Sequence, residues 1–493
     1  MPFTTLDFIA FFAIVFFGYY LLPKRCQWPL LLVASYVFYA WTSPLLVALL
    51  FATTAISYAS AVSRKPWVFW LALCSLIGLF LWGIFQRSFG WIVPVGLSFY
   101  CLQTMGYIID VHWEIVEPER NFLKHALFVG YFPQIMQGPI GNYGRLAPQL
   151  FAGYAFDYER AVLGLQRVAW GFFKKLMIAN IIADRINPAW DNIGDYPGFI
   201  CWAAILVLYA IQLYADFSGY MDIACGCSQM LGIKLDENFN CPYFAKTVPE
   251  FWRRWHMTLS EWFKTYLFYP ILRTKTSTKI RKLFKSKFLG KAVPTTIALA
   301  IVWTTTGLWH GADWGYVGWG VYYGFFMILA IWMQPTYDRL HSRFPRLFNS
   351  KAYAGFQMLR TFAIVCLGYA IFKPADFGKT AAIFSQMCGG IGLDGLVILW
   401  HQLHRTFIAC FLAIGCLFVV DVIHYSNHLG QSNLHLHLNP SPNLPNPPNG
   451  SIRSWINNQP MAVRYFVYTF GIVVMLFCGL YGYGFDNFEY FRF

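Results

Sequence analysis

Apolar runs long enough to cross a bilayer recur from one end of this 493-residue chain to the other. A helix of roughly 18 or more such residues crosses a hydrocarbon core about 30 Å thick. Lipid offers no partner to an open backbone, so each run must satisfy its own hydrogen bonds as a helix. Composition agrees: 57% of residues are hydrophobic and only 12% charged, about half the charge of a soluble domain.

The runs lie at Phe8–Leu22, Pro29–Ala40, Leu45–Val62, Trp67–Phe85 and Trp91–Ile109, then Val162–Ile182, Phe199–Tyr214 and Ala292–Trp309. They continue at Gly315–Met333, Ala352–Phe372, Thr406–Ile423 and Val463–Tyr483. Some short runs only dip into the bilayer, which leaves about eleven spans of an all-α integral membrane protein. The first run has no small-residue cleavage site behind it and is expected to be retained. Residues 1–493 read as a single membrane domain, with no hydrophilic stretch long enough for a separate soluble one.

The net charge of +14 belongs to span flanks rather than to a nucleic-acid surface, because cytoplasmic loops accumulate Lys and Arg. Lys24/Arg25, Arg64/Lys65 and Arg120/Lys124 follow the first, third and fifth spans, which puts the N-terminus on the extracytoplasmic side. The stretch 273–291 carries eight basic residues and no acid, as expected of a cytoplasmic loop against anionic lipid headgroups. Arg339–Lys351 is a second basic loop. The two spans between these loops must form a hairpin, with "WTTTGLWHGADWGYVGWG" at its turn and His310 near the apex.

The twelve cysteines form no CxxC pattern and read as small apolar residues. Residues 426–451 are rich in Asn, Pro and Ser and read as a flexible loop, with His435 and His437 a weak metal signal. His401 and His404 precede a span, where an interfacial position accounts for them. No metal-ligand cluster or nucleotide-phosphate loop is evident, so no bound cofactor or metal is expected.

Four stretches carry polar chemistry. "VPEFWRRWHMTLSEWFKTYLFYPILR", 248–273, reads as one amphipathic interfacial helix with Phe251, Trp252, Trp255, Leu259, Trp262, Phe263 and Tyr266 on one side. His256 lies at the edge of that aromatic side, as a packed imidazole or as part of a buried site. His310 suits a general base, since an imidazole titrates near neutrality; polar glue between helices is the other reading. Gly307, Gly311, Gly315, Gly318 and Gly320 allow close packing or space beside it. "YADFSGYMDIACG" places Asp216, Ser218 and Asp222 in an apolar region, where they fix helix packing or line a cavity. "YFPQIMQGPIGNY", with Gln137, breaks the backbone at membrane depth and reads as a re-entrant element.

"EFWRRWHMTLSEWF", followed 54 residues on (His to His) by "TGLWHGADWGYVGWG", resembles the membrane-bound O-acyltransferase family. "YFPQIMQGPI", "YADFSGYMDIACG" and the terminal "FEYFRF" are similar to other blocks of its bacterial branch, which covers alginate O-acetylation and teichoic-acid D-alanylation. The resemblance implies re-entrant and interfacial helices among the spans around a central funnel or tunnel, with His310 and His256 as the catalytic pair. Asp216, Ser218, Asp222, Gln137, Trp309, Asp313 and Trp255 become candidate tunnel-lining residues. Asp313 departs from an Asn common in the family and stands where it could tune His310.

The implied activity is acetyl transfer in a bacterial inner membrane, from a cytoplasmic donor such as acetyl-CoA to a hydroxyl outside. The acceptor would be an extracytoplasmic polysaccharide, or a periplasmic or extracellular acetyltransferase partner protein. Transfer of D-alanine or a protein acyl group remains open within the family. A transporter or flippase using Asp216, Asp222 and the histidines is the reading from another class.

Overall fold

A computed structural model describes residues 1–42, 46–88, 96–403, 407–430 and 452–481. His404, His435, His437, most of the 426–451 stretch and the terminal "FEYFRF" lie outside the described residues. Among the described residues every regular element is helical, and the sole isolated bridge pairs Phe239 with Trp255.

The N-terminal part runs through α1 (Leu6–Leu21), α2 (Lys24–Thr42), α3 (Val47–Ser63), α4 (Pro66–Ser88) and α5 (Leu97–His112). Short α6 (Phe122–Gly130), α7 (Phe132–Ile135) and α8 (Tyr143–Ala152) follow. Residues 125–140 are buried without interruption, which is the condition for broken backbone at membrane depth. Side chains satisfy part of it: Gln103 Nε2 donates to the Phe128 carbonyl at 2.6 Å, and Gln134 Nε2 to Gln103 Oε1 at 3.1 Å.

The expected span 162–182 is part of a longer rod: α9 (Tyr158–Phe173), a π-helical segment (Lys174–Ala179) and α10 (Asn180–Asp191). It packs on α11 (Phe199–Met230), the longest and most buried apolar helix. Glycines set that contact. A Cβ on Gly164 would stand 2.8 Å from the Gly226 carbonyl oxygen, and one on Gly171 2.5 Å from that of Gly219. Two glycines seven residues apart on each helix thus let antiparallel backbones touch.

The amphipathic stretch differs from expectation in one respect. Its apolar side is buried as the periodicity implied, with Phe251, Trp255, Leu259 and Phe263 inside and Arg253, Glu261 and Lys264 exposed. It is not one helix, however, but α12 (Val248–Arg254), α13 (Met257–Phe263), a π-segment (Lys264–Phe268) and α14 (Tyr269–Arg273). The break falls at Trp255 and His256, where His256 is left-handed with φ 45° and ψ 55°. Residues 238–240 cause it by taking over the backbone groups: Asn240 N donates to Arg254 O and Met257 N to Asn238 O, each at 3.0 Å.

After the basic α15 (Lys275–Leu283) come α16 (Lys287–His310) and α17 (Trp314–Arg343), the hairpin the charge pattern required. A Cβ on Gly307 would sit 2.5 Å from Tyr316 O, and one on Gly320 2.3 Å from Trp303 O. The two helices therefore approach too closely for any other residue at these positions.

The chain continues through α18 (Pro345–Phe348), α19 (Lys351–Phe372), α20 (Phe377–Cys388), α21 (Leu393–Leu403), α22 (Phe407–Gly430), α23 (Ile452–Asn457) and α24 (Met461–Cys478). Seven described helices are long and apolar enough to span a membrane, against about eleven expected from sequence. Two more, α1 and α3, are apolar but shorter, and α20 and α21 form a pair bent by 115°. The chain is a multi-pass membrane protein, and bilayer contact explains exposed residues such as Leu6, Phe17 and Phe477.

Candidate active site

His310 is the last residue of α16, and its turn is so short that α17 begins four residues later. It is 2% exposed. Its imidazole meets the edges or faces of four aromatic rings: Trp309 at 4.6 Å, Trp319 at 4.8 Å, Phe372 at 5.0 Å and Tyr316 at 6.3 Å between centroids. Gly311 leaves room for this arrangement, because a Cβ there would lie 2.5 Å from the Tyr316 ring. The indole N–H groups of Trp309 and Trp319 are buried and have no hydrogen-bond acceptor among the described residues. Buried donors normally find partners, and both of these belong to rings packed against the imidazole.

His256 reaches the same place from another direction. Its ring packs edge-on against Phe217 at 4.8 Å and Trp309 at 5.9 Å, and stacks on Phe99 at 6.2 Å. Trp309 thus lies against both histidines, which sit in one aromatic compartment despite their separation in sequence.

Asn238 orients His256. Its Oδ1 accepts from Thr258 N at 3.0 Å and Thr258 Oγ1 at 2.8 Å, and lies 3.3 Å from His256 Nδ1. The backbone N–H of Thr258 settles which amide atom is oxygen. Facing that oxygen, His256 carries its proton on Nδ1 and its lone pair on Nε2. Thr258 Oγ1 also accepts from Ile140 N at 3.1 Å, which ties the buried 125–140 segment to the histidine. Neither Asn238 nor Thr258 was singled out from sequence; the signal lay in a polar residue inside the short connector "ENFNCPYF".

The other candidates divide. Trp255 is buried among Phe239, Phe251 and Tyr214, with Phe239 edge-on at 5.0 Å. Gln137 is 2% exposed, and neither its amide oxygen nor its nitrogen has a partner among the described residues. Asp313 is exposed at the N-terminus of α17, where its backbone carbonyl accepts from Tyr316 N at 3.0 Å.

Asp216, Ser218 and Asp222 face the α9 rod instead. Lys175 Nζ meets Asp216 Oδ1 at 2.5 Å, and Lys174 Nζ meets Ser218 Oγ at 2.8 Å and Asp222 Oδ2 at 2.6 Å. Arg167 Nε lies 2.8 Å from Asp222 and its NH2 group 2.5 Å from Glu237. Both lysines lie in the π-helical segment. Here both are buried.

The chain is a many-helix membrane protein in which two buried histidines share one aromatic compartment. The model of the membrane-bound O-acyltransferase family matches residues 118–372, which takes in both histidines. A Pseudomonas fluorescens protein named "Probable alginate O-acetylase AlgI" is 33% identical over 414 residues, covering 78% of this chain and 75% of its own. The peptidoglycan O-acetyltransferase of Helicobacter pylori is 28% identical over 447 residues, 80% of each. The teichoic acid D-alanyltransferase of Bacillus subtilis is 25% identical over 294 residues, 57% of this chain and 69% of that one. The chain belongs to the membrane-bound O-acyltransferase family and is an acyltransferase.

Proposed function

We propose that this enzyme moves an acetyl group from cytoplasmic acetyl-CoA to a hydroxyl on the far side of a bacterial inner membrane. The acceptor is a polysaccharide or a partner protein that passes the acetyl group on. The observation that carries the reading is the aromatic compartment in which His310 and the orphaned Trp309 and Trp319 donors meet. Relatives named for O-acetylation, matched along about four-fifths of the chain, favour acetyl over D-alanyl.

In this mechanism neutral His310 takes the proton of the acceptor hydroxyl as its oxygen attacks the thioester carbonyl. The C–O bond forms as the C–S bond breaks, and the proton passes to the departing thiolate. In this reading the unpartnered Trp309 and Trp319 indole N–H groups donate to the developing oxyanion. His256, with its proton held toward Asn238, presents an acceptor nitrogen; that suits positioning a bound N–H or O–H better than polarising the carbonyl. The basic 273–291 segment supplies positive charge for the phosphates of the donor and for lipid headgroups.

The test is to incubate purified protein with labelled acetyl-CoA, then with candidate acceptors. Acetyl transfer to a polysaccharide or partner hydroxyl supports the reading. Transfer only from a D-alanyl donor, or movement of solute without acyl transfer, overturns it.

A further inference from the structure

Outside the histidine compartment, three side chains of different chemistry converge where α22 crosses the connector after α11. Cys241 Sγ, a carboxylate oxygen of Asp421 and a ring nitrogen of His424 all lie within 4.8 Å of one another. Asp421 and His424 are three residues apart on one face of α22, and Cys241 is 180 residues away in sequence. That distance hides the cluster from any search for a local motif.

The surroundings favour a cation. Cys241 is 4% exposed, and the aromatic rings of Phe244, Phe418 and Tyr425 close the contact on one side, with centroids 5.9 and 5.0 Å from Phe244. No described lysine or arginine lies at ion-pair distance from Asp421. Its carboxylate has the Tyr214 hydroxyl at 3.3 Å. A thiolate and a carboxylate together would balance a divalent ion. Mixed sulfur, nitrogen and oxygen donors select a zinc-like metal over calcium or magnesium.

We propose that Cys241, Asp421 and His424 are a three-ligand site for a zinc-like divalent cation that pins α22 to the 231–247 connector. A tetrahedral zinc site has ligand-to-ligand edges of about 3.5 Å, so side-chain movements of about 1 Å close the set. Cys241 Sγ now lies 3.5 Å from the Asp421 carbonyl, to which its S–H donates. On binding, that proton leaves to solvent and the thiolate becomes a ligand. Tyr214 keeps its hydrogen bond and orients the carboxylate from outside. Cys241 also stands three residues from Asn238, so the cation would hold the segment that orients His256.

The test reads metal alone and does not depend on the acyl-transfer reading. Tag-free protein in detergent is stripped with chelator and titrated with Zn2+ against a chromophoric competitor; Co2+ is added in parallel for its spectrum. One equivalent of tight binding and a thiolate-to-cobalt charge-transfer band are expected. Cys241→Ser should abolish the band and His424→Ala weaken zinc by more than tenfold. Tyr214→Phe should weaken it by about tenfold, and Cys388→Ser, at an exposed cysteine, should change nothing. If a variant does not fold, the wild-type spectrum decides. Absence of zinc uptake or of the thiolate band in the wild type overturns the proposal, as does unchanged zinc affinity in folded Cys241→Ser and His424→Ala.

Discussion

Replacing Asn238 by alanine removes the acceptor around which the His256 side of the compartment is built. Three donors converge on Asn238 Oδ1: Thr258 N, Thr258 Oγ1 and His256 Nδ1. The threonine hydroxyl can rotate to another acceptor, but the backbone N–H and the imidazole are fixed and buried. Each stranded donor costs about 1–3 kcal/mol, so the substitution should destabilise the protein by about 2–5 kcal/mol. The assay is thermal unfolding of purified protein in detergent together with the acyl-transfer rate. Asn238→Ala should lower both the unfolding midpoint and the rate. Asn238→Asp, which keeps the acceptor, should lie between it and wild type. A wild-type midpoint and rate in Asn238→Ala would refute the claim that this side chain sets His256.

Two further outcomes follow from the packing. Gly320→Ala forces a Cβ to within 2.3 Å of the Trp303 carbonyl, an overpacking worth about 1–3 kcal/mol; it should lower the unfolding midpoint and, by shifting the hairpin that carries His310, the transfer rate. Asp216→Ala strands the buried Lys175 ammonium and should cost about 3–5 kcal/mol, while the double change Lys175→Met, Asp216→Leu should recover most of it. Equal midpoints for the single and double variants would remove that ion pair from the account.

Hydropathy made the membrane class legible, because lipid leaves the backbone no partners but its own, and two apolar runs joined by a short turn made the α16–α17 hairpin legible. The break at His256 was not legible. The helical period of apolar residues runs straight through it, and the residues that pry it open are the connector 238–240, upstream and without periodicity of their own. The buried carboxylates were visible as oddities in an apolar run, but their partners were not. Lys174 and Lys175 sit inside another apparent span, and they meet carboxylates on α11, which no local pattern pairs with them. His310 was conspicuous for its position, whereas its neighbour Phe372 comes from α19, which no local pattern connects to it.

His310 as the base of the transfer reaction is open to one direct test. Its most direct measurement is the acetyl-transfer rate of purified His310→Ala from labelled acetyl-CoA, beside a check of helical content and monodispersity. A folded protein whose rate falls by about 10²–10⁴-fold is expected. A folded His310→Ala protein transferring within a few-fold of the wild-type rate would contradict it.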